Sequence, residues 1–108
     1  MELDYIPVDK NAIPYHADIR IKGTTYTFGF NYNSQGDFFT VDLWKNGTEL
    51  AKGEKISYGR TLWHQYADDR FPMCGVIPFD PAGEADRVGW DELGESVLLY
   101  IFYKETLQ

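Results

Sequence analysis

Short runs in which apolar and polar residues alternate dominate this chain. Residues 15–22 alternate strictly, and after Lys22-Gly23 the alternation resumes and continues through residue 32. A period of two is typical of a half-buried strand, so the two runs predict a β-hairpin. The second run places four rings on one side, and we expect this side to face the core. Those rings are Tyr26, Phe28, Phe30 and Tyr32.

Further strands are predicted between clusters of turn-forming residues. Their ranges are 3–8, 37–44, 48–51, 55–58, 71–79 and 96–103. Rings lie on both faces of the run at 37–44, which predicts a central strand. Asn46-Gly47 predicts a tight hairpin turn because both residues tolerate positive φ, and Gly53 predicts a bulge or break. Pro72 and Pro78 exclude a helix at 71–79 and argue against a central strand there.

Helical signals are confined to two short segments. Residues 63–66 are compatible with a short strand or one helical turn, and residues 90–94 predict one helical turn that ends at Gly94. Neither is long enough for a crossover between parallel strands. The sequence therefore predicts an all-β fold, a small antiparallel barrel or sandwich with at most one short helical turn.

The length of 108 residues fits one domain. With 44% hydrophobic and 17% aromatic residues, the chain has enough apolar surface for a core, so disorder is not expected. We predict a single β-rich domain over residues 1–108, with a polar C-terminal tail at 104–108.

The net charge of −7 disfavours nucleic-acid binding through a basic patch. Cys74 is the single cysteine and cannot close an internal disulfide, which indicates a reducing compartment. The opening residues Met1-Glu2-Leu3-Asp4 do not predict a signal peptide, and no apolar run approaches the ~20 residues of a membrane helix. We therefore expect synthesis in the cytoplasm and no membrane association.

Motifs for metal binding or catalysis are not found. His16, His64 and Cys74 do not have the spacing of zinc ligands, and residues 80–86 lack the ligand ladder of a calcium loop. There is no G-x-S-x-G nucleophile motif and no glycine-rich phosphate loop. We expect no enzyme activity, no metal and no cofactor. A hydrolase that pairs His64 with Cys74 is the remaining catalytic hypothesis.

The large number of aromatic residues points instead to binding. Eight Tyr, seven Phe and three Trp exceed what one small core readily absorbs, so some are expected to line a contact surface. Trp and Arg are favoured interface anchors. The predicted interface residues are Trp44, Trp63, Tyr66, Arg70, Arg87 and Trp90. The alternative is a small carbohydrate-binding module in which Trp44 or Trp63 serves as a stacking platform.

Several runs occur in an order that resembles a known family. The two most specific are GDFFTVDL at 36–43 and RVGWDELG at 87–94. Weaker matches are YIP at 5–7, YTF at 26–28, GEK at 53–55, RFP at 70–72 and IPFD at 77–80. Together they resemble the baseplate plug family of contractile-tailed bacteriophages and related prophage tail particles, over roughly residues 5–103.

This resemblance implies a small β-rich virion protein in the tail baseplate, made in the cytoplasm of the bacterial host. It implies a plug or adaptor at the distal end of the tail tube that packs against baseplate hub or spike proteins and tail tube proteins. The protein would help to close the lumen until contraction, without enzyme activity or a cofactor. Several copies in a symmetric assembly would multiply each weak contact.

Overall fold

The computed structural model describes residues 4–64, 71 and 74–103. Within these ranges the chain forms seven strands and one 3₁₀ turn, Lys10–Ala12. The strands are β1 (Asp4–Ile6), β2 (Tyr15–Ile21), β3 (Thr24–Asn33), β4 (Phe38–Lys45), β5 (Thr48–Lys55), β6 (Cys74–Phe79) and β7 (Leu98–Tyr103). All pairings between these strands are antiparallel and form two separate sheets, so the predicted all-β fold is confirmed, and of its two predicted forms the chain has the sandwich.

The larger sheet has four strands in the order β2-β3-β4-β5. Two of its connections are two-residue turns in which both residues have positive φ, at Lys22-Gly23 and Asn46-Gly47. This conformation matches the right-handed twist of the flanking strands. Both predicted hairpins are therefore confirmed, and β4 has a neighbour on each side, as predicted.

The predicted irregularity at Gly53 is a bulge within one continuous strand. Gly53 has a φ of +74°, and the pairing of β4 with β5 shifts register between Val41 and Leu43. The N–H of Gly53 donates to Oδ1 of Asp42 at 2.7 Å, which satisfies a donor that the bulge turns away from the ladder. The prediction of a separate strand at 55–58 was wrong, since β5 runs on to Lys55.

The smaller sheet joins strands that are distant in sequence, in the order β1-β7-β6. As predicted, Pro78 lies on an edge strand, where a missing N–H costs no ladder bond. The chain before β6 covers this edge, because the N–H groups of Gly59 and Leu62 donate to the carbonyls of Pro78 and Val76. The strand predicted from residue 71 begins at Cys74.

The core combines buried side chains of both sheets. Phe28, Phe30 and Phe39 of the larger sheet belong to one hydrophobic cluster with Val76 and Leu99 of the smaller sheet. The ring face predicted for β3 is confirmed as a core face, with Tyr32 half-buried at its end.

Residues 90–94, predicted as one helical turn, form a hydrogen-bonded turn and not a helix. The N–H of Leu93 donates to the carbonyl of Gly89 at 3.1 Å, and the chain leaves the turn at Gly94 with a φ of +86°. In the described part of the chain, no helix is long and apolar enough to span a membrane.

Candidate functional site

Asp37 joins the two sequence blocks that are most specific in this chain. It is the last residue of the β3–β4 turn and has a φ of +55°. Its Oδ1 accepts from the hydroxyl of Tyr32 at 2.6 Å and from the N–H of Trp90 at 2.8 Å. Its Oδ2 accepts from Nη2 of Arg87 at 2.7 Å. One carboxylate thus ties the end of the larger sheet to the loop that leads into β7.

Glu92 extends this contact on the loop side. Its Oε1 accepts from Nη1 of Arg87 at 3.1 Å and from the N–H of Gly89 at 2.8 Å. Arg87 therefore bridges Asp37 and Glu92, as the fork of donors on a guanidinium permits. We call Tyr32, Asp37, Arg87, Gly89 and Glu92 the Asp37 cluster.

The electrostatics of the Asp37 cluster favour a fixed carboxylate. The hydrogen bond from Tyr32, followed by those from Arg87 and the Trp90 N–H, lowers the pKa of Asp37 to about 2. The hydrogen bond between Tyr32 and Asp37 is the main cause of a raised pKa at Tyr32. The hydrogen bond between Arg87 and Asp37 is the main cause of a raised pKa at Arg87. A carboxylate that is ionised near neutral pH and already accepts from three donors is a weak general acid or base. Its geometry suits a structural role, in which it holds the loop at residues 87–92 against the end of the larger sheet.

The indole of Trp90 packs beside the Asp37 cluster, against rings of the larger sheet. Its ring lies 5.0 Å from the ring of Tyr32 and stacks on Phe39 at 6.0 Å, measured between centroids. The ammonium of Lys10 lies 5.3 Å from the Trp90 ring and also donates to the Trp90 carbonyl. Trp90 therefore fixes the position of its own loop and leaves only part of its ring accessible.

The predicted interface residues are distributed over different parts of the molecule. Arg87 and Trp90 lie together at the Asp37 cluster. Trp44 is half-buried on the outer face of the larger sheet, with its ring 4.7 Å from the His16 ring. Trp63 is 4% exposed and packs on Phe28 in the core. Two predicted interface residues lie outside the described residues, namely Tyr66 and Arg70.

Trp63 reaches the core because of an unusual backbone conformation. Its φ of +58° belongs to the left-handed region, and its N–H donates to Oε2 of Glu54 at 2.8 Å. The ring is held at 5.5 Å from Phe28 and 6.1 Å from Phe71. The structure thus assigns this ring to packing, and its exposed fraction leaves almost no surface for stacking a ligand.

The outer face of the smaller sheet carries exposed aromatic rings that were not predicted. Successive residues of a strand point to opposite faces, and paired residues share a face. Leu99 and Ile101 point into the core, so Tyr100 and its partners Tyr5 and Ile77 point outward. We define the apolar face as the outward residues of β1, β6 and β7. They are Tyr5, Gly75, Ile77, Phe79, Leu98, Tyr100 and Phe102.

The apolar face holds every large hydrophobic side chain that is exposed in the described residues. These are Tyr5 at 49%, Phe79 at 40% and Phe102 at 38%. The face contains no charged residue, whereas the outer face of the larger sheet carries polar side chains such as His16, Asp18 and Thr27. An exposed and contiguous apolar patch is typical of a protein–protein contact surface.

A second carboxylate, Asp80, has a structural role at the start of the β6–β7 connection. It is 3% exposed and accepts from the N–H groups of Ala82, Glu84 and Ala85 at 2.9–3.0 Å. These bonds, first of all the one from Ala85, lower the pKa of Asp80. The carboxylate thus holds the turn that follows Phe79.

The histidine considered for catalysis, His64, lines an open polar pocket together with Glu54, Lys55, Ser57, Arg60 and Thr61. His64 is exposed, and its ring contacts the carbonyl of Thr61 and the guanidinium of Arg60. The side chain of Cys74 lies outside the described part, so the proposed pair with His64 stays a hypothesis. Among the residues that the structure describes, no group of three or more His, Cys, Asp or Glu side chains is arranged to hold a metal ion.

Comparison with known proteins identifies a family for this chain. No curated protein matches the sequence. The model of one protein family, described as cyanophage baseplate Pam3 plug gp18, matches residues 3–104. That range includes both sheets, the Asp37 cluster and the apolar face. Because the match covers almost the whole sequence, this chain belongs to the family of phage baseplate plug proteins and has a structural role in the baseplate of the virion tail.

Proposed function

We propose that the chain is a plug or adaptor at the distal end of the tail tube, and that it helps to close the lumen until contraction. The observation that carries the proposal is the family match over residues 3–104. Its partners in this role are the baseplate hub or spike proteins and the tail tube proteins, and several copies occupy a symmetric assembly. Synthesis takes place in the host cytoplasm.

The mechanism that we propose is steric and needs no bond-making side chain. A plug must keep its shape under load, and the Asp37 cluster supports this because it locks the β6–β7 connection onto the larger sheet. A plug must also bind its neighbours, and the apolar face supplies exposed aromatic anchors for such a contact. Repetition in a symmetric ring multiplies each contact. The proposed function includes no enzyme activity.

The alternative of a carbohydrate-binding module is supported by one feature. Trp44 is partly exposed beside His16 and lies over Gly29, where an added Cβ would meet the indole at 2.9 Å. Trp63, the second platform considered, is buried. Titration of tryptophan fluorescence with cell-wall glycans tests this alternative. A saturable change that Trp44→Phe removes would favour sugar binding over a purely structural role.

Localisation in intact particles tests the proposed function. Gold-labelled antibody against this chain should label the distal tip of the tail, and particles assembled without the chain should be the unlabelled control. In electron micrographs of particles assembled without the chain, negative stain should enter the tube lumen from the distal end. Absence of label from intact particles, or an equally closed lumen without the chain, would contradict the proposal.

A further inference from the structure

We propose that the apolar face docks onto a neighbouring baseplate protein whose contact surface is apolar at its centre and basic along the border that meets the β6–β7 connection. This inference rests on the proposed function, which supplies the baseplate as the place where the neighbour is found. It adds the surface that is used and the chemistry of the partner.

The two faces of β7 indicate that its outer side is also covered in the assembly. Leu99 and Ile101 are buried in the core, while Leu98, Tyr100 and Phe102 on the other side are equally apolar. A strand that is apolar on both faces is typical of a position between two layers. In the described chain one of those layers is the larger sheet, and the neighbouring protein is the outer layer that we infer over the exposed rings of Tyr5, Phe79 and Phe102.

The charge of the β6–β7 connection decides which kind of surface fits. Residues 80–97 start beside Phe79 and end beside Leu98, so they border one end of the apolar face. This connection contains six acidic residues and one basic residue, Arg87, which is bound to Asp37 and Glu92. The acidic residues are Asp80, Glu84, Asp86, Asp91, Glu92 and Glu95.

A second copy of this chain does not fit this border well. Each copy carries a net charge of −7, so two copies repel each other at long range. Where the same border meets itself, the one basic residue of the connection, Arg87, is already bound to Asp37 and Glu92. Charge complementarity favours a partner that places Lys or Arg side chains against Glu84 and Asp86, both exposed. The apolar centre then excludes water around Tyr5, Phe79 and Phe102.

A competition during assembly tests the proposal. A host that produces particles without the native chain expresses the wild-type chain and a variant, each with a different tag, at equal levels. Mass spectrometry of purified particles then gives the ratio of variant to wild type. Phe102→Lys places a charge on the apolar face, and Phe38→Lys is the matched control, a half-exposed ring at the start of β4 in the other sheet.

We expect incorporation of Phe102→Lys to fall about tenfold or more relative to wild type, as for loss of an interface anchor. Phe38→Lys should remain near parity. Equal incorporation of both variants, with wild type present in the particles, overturns the docking surface and leaves the proposed function intact. Absence of wild type from the particles is failure of the proposed function itself. If Phe102→Lys does not fold, Tyr5→Lys replaces it at the most exposed ring of the face.

A second pair of variants tests the charge of the partner. Glu84→Lys reverses a charge at the acidic border, and Glu49→Lys makes the same change at an exposed position of β5 on the other sheet. Only Glu84→Lys should reduce incorporation. An unchanged ratio for Glu84→Lys overturns the basic border. Sedimentation of the purified chain tests self-association, and a dimer that Phe102→Lys dissociates would overturn the assignment to a different protein.

Discussion

Substitution of Gly89 by alanine tests the geometry of the Asp37 cluster. A Cβ at this position would lie 2.5 Å from Oδ2 of Asp37 and 2.7 Å from Nη1 of Arg87. The backbone of Gly89 does not lie in the left-handed region, so alanine is allowed there on conformational grounds. Any loss of stability therefore comes from the collision with the cluster.

The magnitude follows from which atoms are able to move. Arg87 is half-exposed and its guanidinium is able to swing outward, but Asp37 is held by Tyr32 and by the Trp90 N–H. The variant therefore loses the contact between Arg87 and Asp37 and strains the remaining bonds. Overpacking of this kind costs about 1–3 kcal/mol in the free energy of unfolding. For a domain of this size that corresponds to a Tm lower by about 5–15 °C.

Thermal and urea unfolding of four variants provides the assay. Gly75→Ala is the matched control, because its Cβ would have no neighbour closer than 3.7 Å. This variant should raise the free energy of unfolding by about 0.4–1 kcal/mol. In an Asp37→Ala background the collision partner is gone, so the loss caused by Gly89→Ala should fall by about half or more, as expected for residues in contact. Additive effects of the two substitutions would refute the reasoning, as would equal stability of Gly89→Ala and wild type.

Three further predictions concern ionisation, the Asp80 turn and the outer face of the larger sheet. Asp37 has a lowered pKa in the fold, so its contribution is present above the unfolded pKa of about 4 and is lost as the pH falls through about 2. Urea unfolding should show Asp37→Asn less stable than wild type at pH 6 and the two converging near pH 2, whereas a constant difference would contradict this. Asp80→Ala should accelerate hydrogen exchange at the amides of residues 82, 84 and 85, but less at Gly83, which donates to the Asp80 carbonyl; uniform exchange at all four would contradict the capping role. Trp44→Phe should leave incorporation into particles within about twofold of wild type, since rings outside an interface contribute little to binding, and a larger loss measured by mass spectrometry would move the contact to the larger sheet.

Most of the fold was predictable because its signals are local. Strict alternation at 15–32 and the positive-φ turn at Asn46-Gly47 specify hairpins between neighbouring segments, and these hairpins build the larger sheet. Pro78 correctly predicted an edge strand. The separate strand at 55–58 was wrong because the Gly53 bulge lets β5 continue through the irregularity up to Lys55.

The Asp37 cluster and the apolar face were harder to predict because they depend on pairing between distant segments. Both blocks that contain Asp37 and Arg87 were recognised, but nothing local indicates that residues 50 positions apart form an ion pair. The apolar face requires the pairing of Tyr5 with Tyr100, from opposite ends of the chain. The apolar run at 97–103 was a usable signal, since it lacks the polar side that a solvated strand shows.

Trp63, one of the predicted interface residues, shows a second reason why the sequence does not tell which rings are exposed. Its position in the core depends on a left-handed backbone conformation, which a bulky residue seldom adopts and which no local pattern announces. Size and hydrophobicity alone do not tell a core tryptophan from an interface tryptophan. Arg87 and Trp90 lie together at the Asp37 cluster, where both donate to Asp37 of the same chain.

Hydroxyl-radical footprinting of the free chain and of intact particles tests the central claim most directly. The claim is that the apolar face is covered by a neighbour in the assembled baseplate. Oxidation of Tyr5, Phe79 and Phe102 should fall at least about tenfold on assembly, while Trp44 on the other sheet should keep most of its reactivity. Oxidation of the three rings in particles at the rate of the free chain would contradict the account.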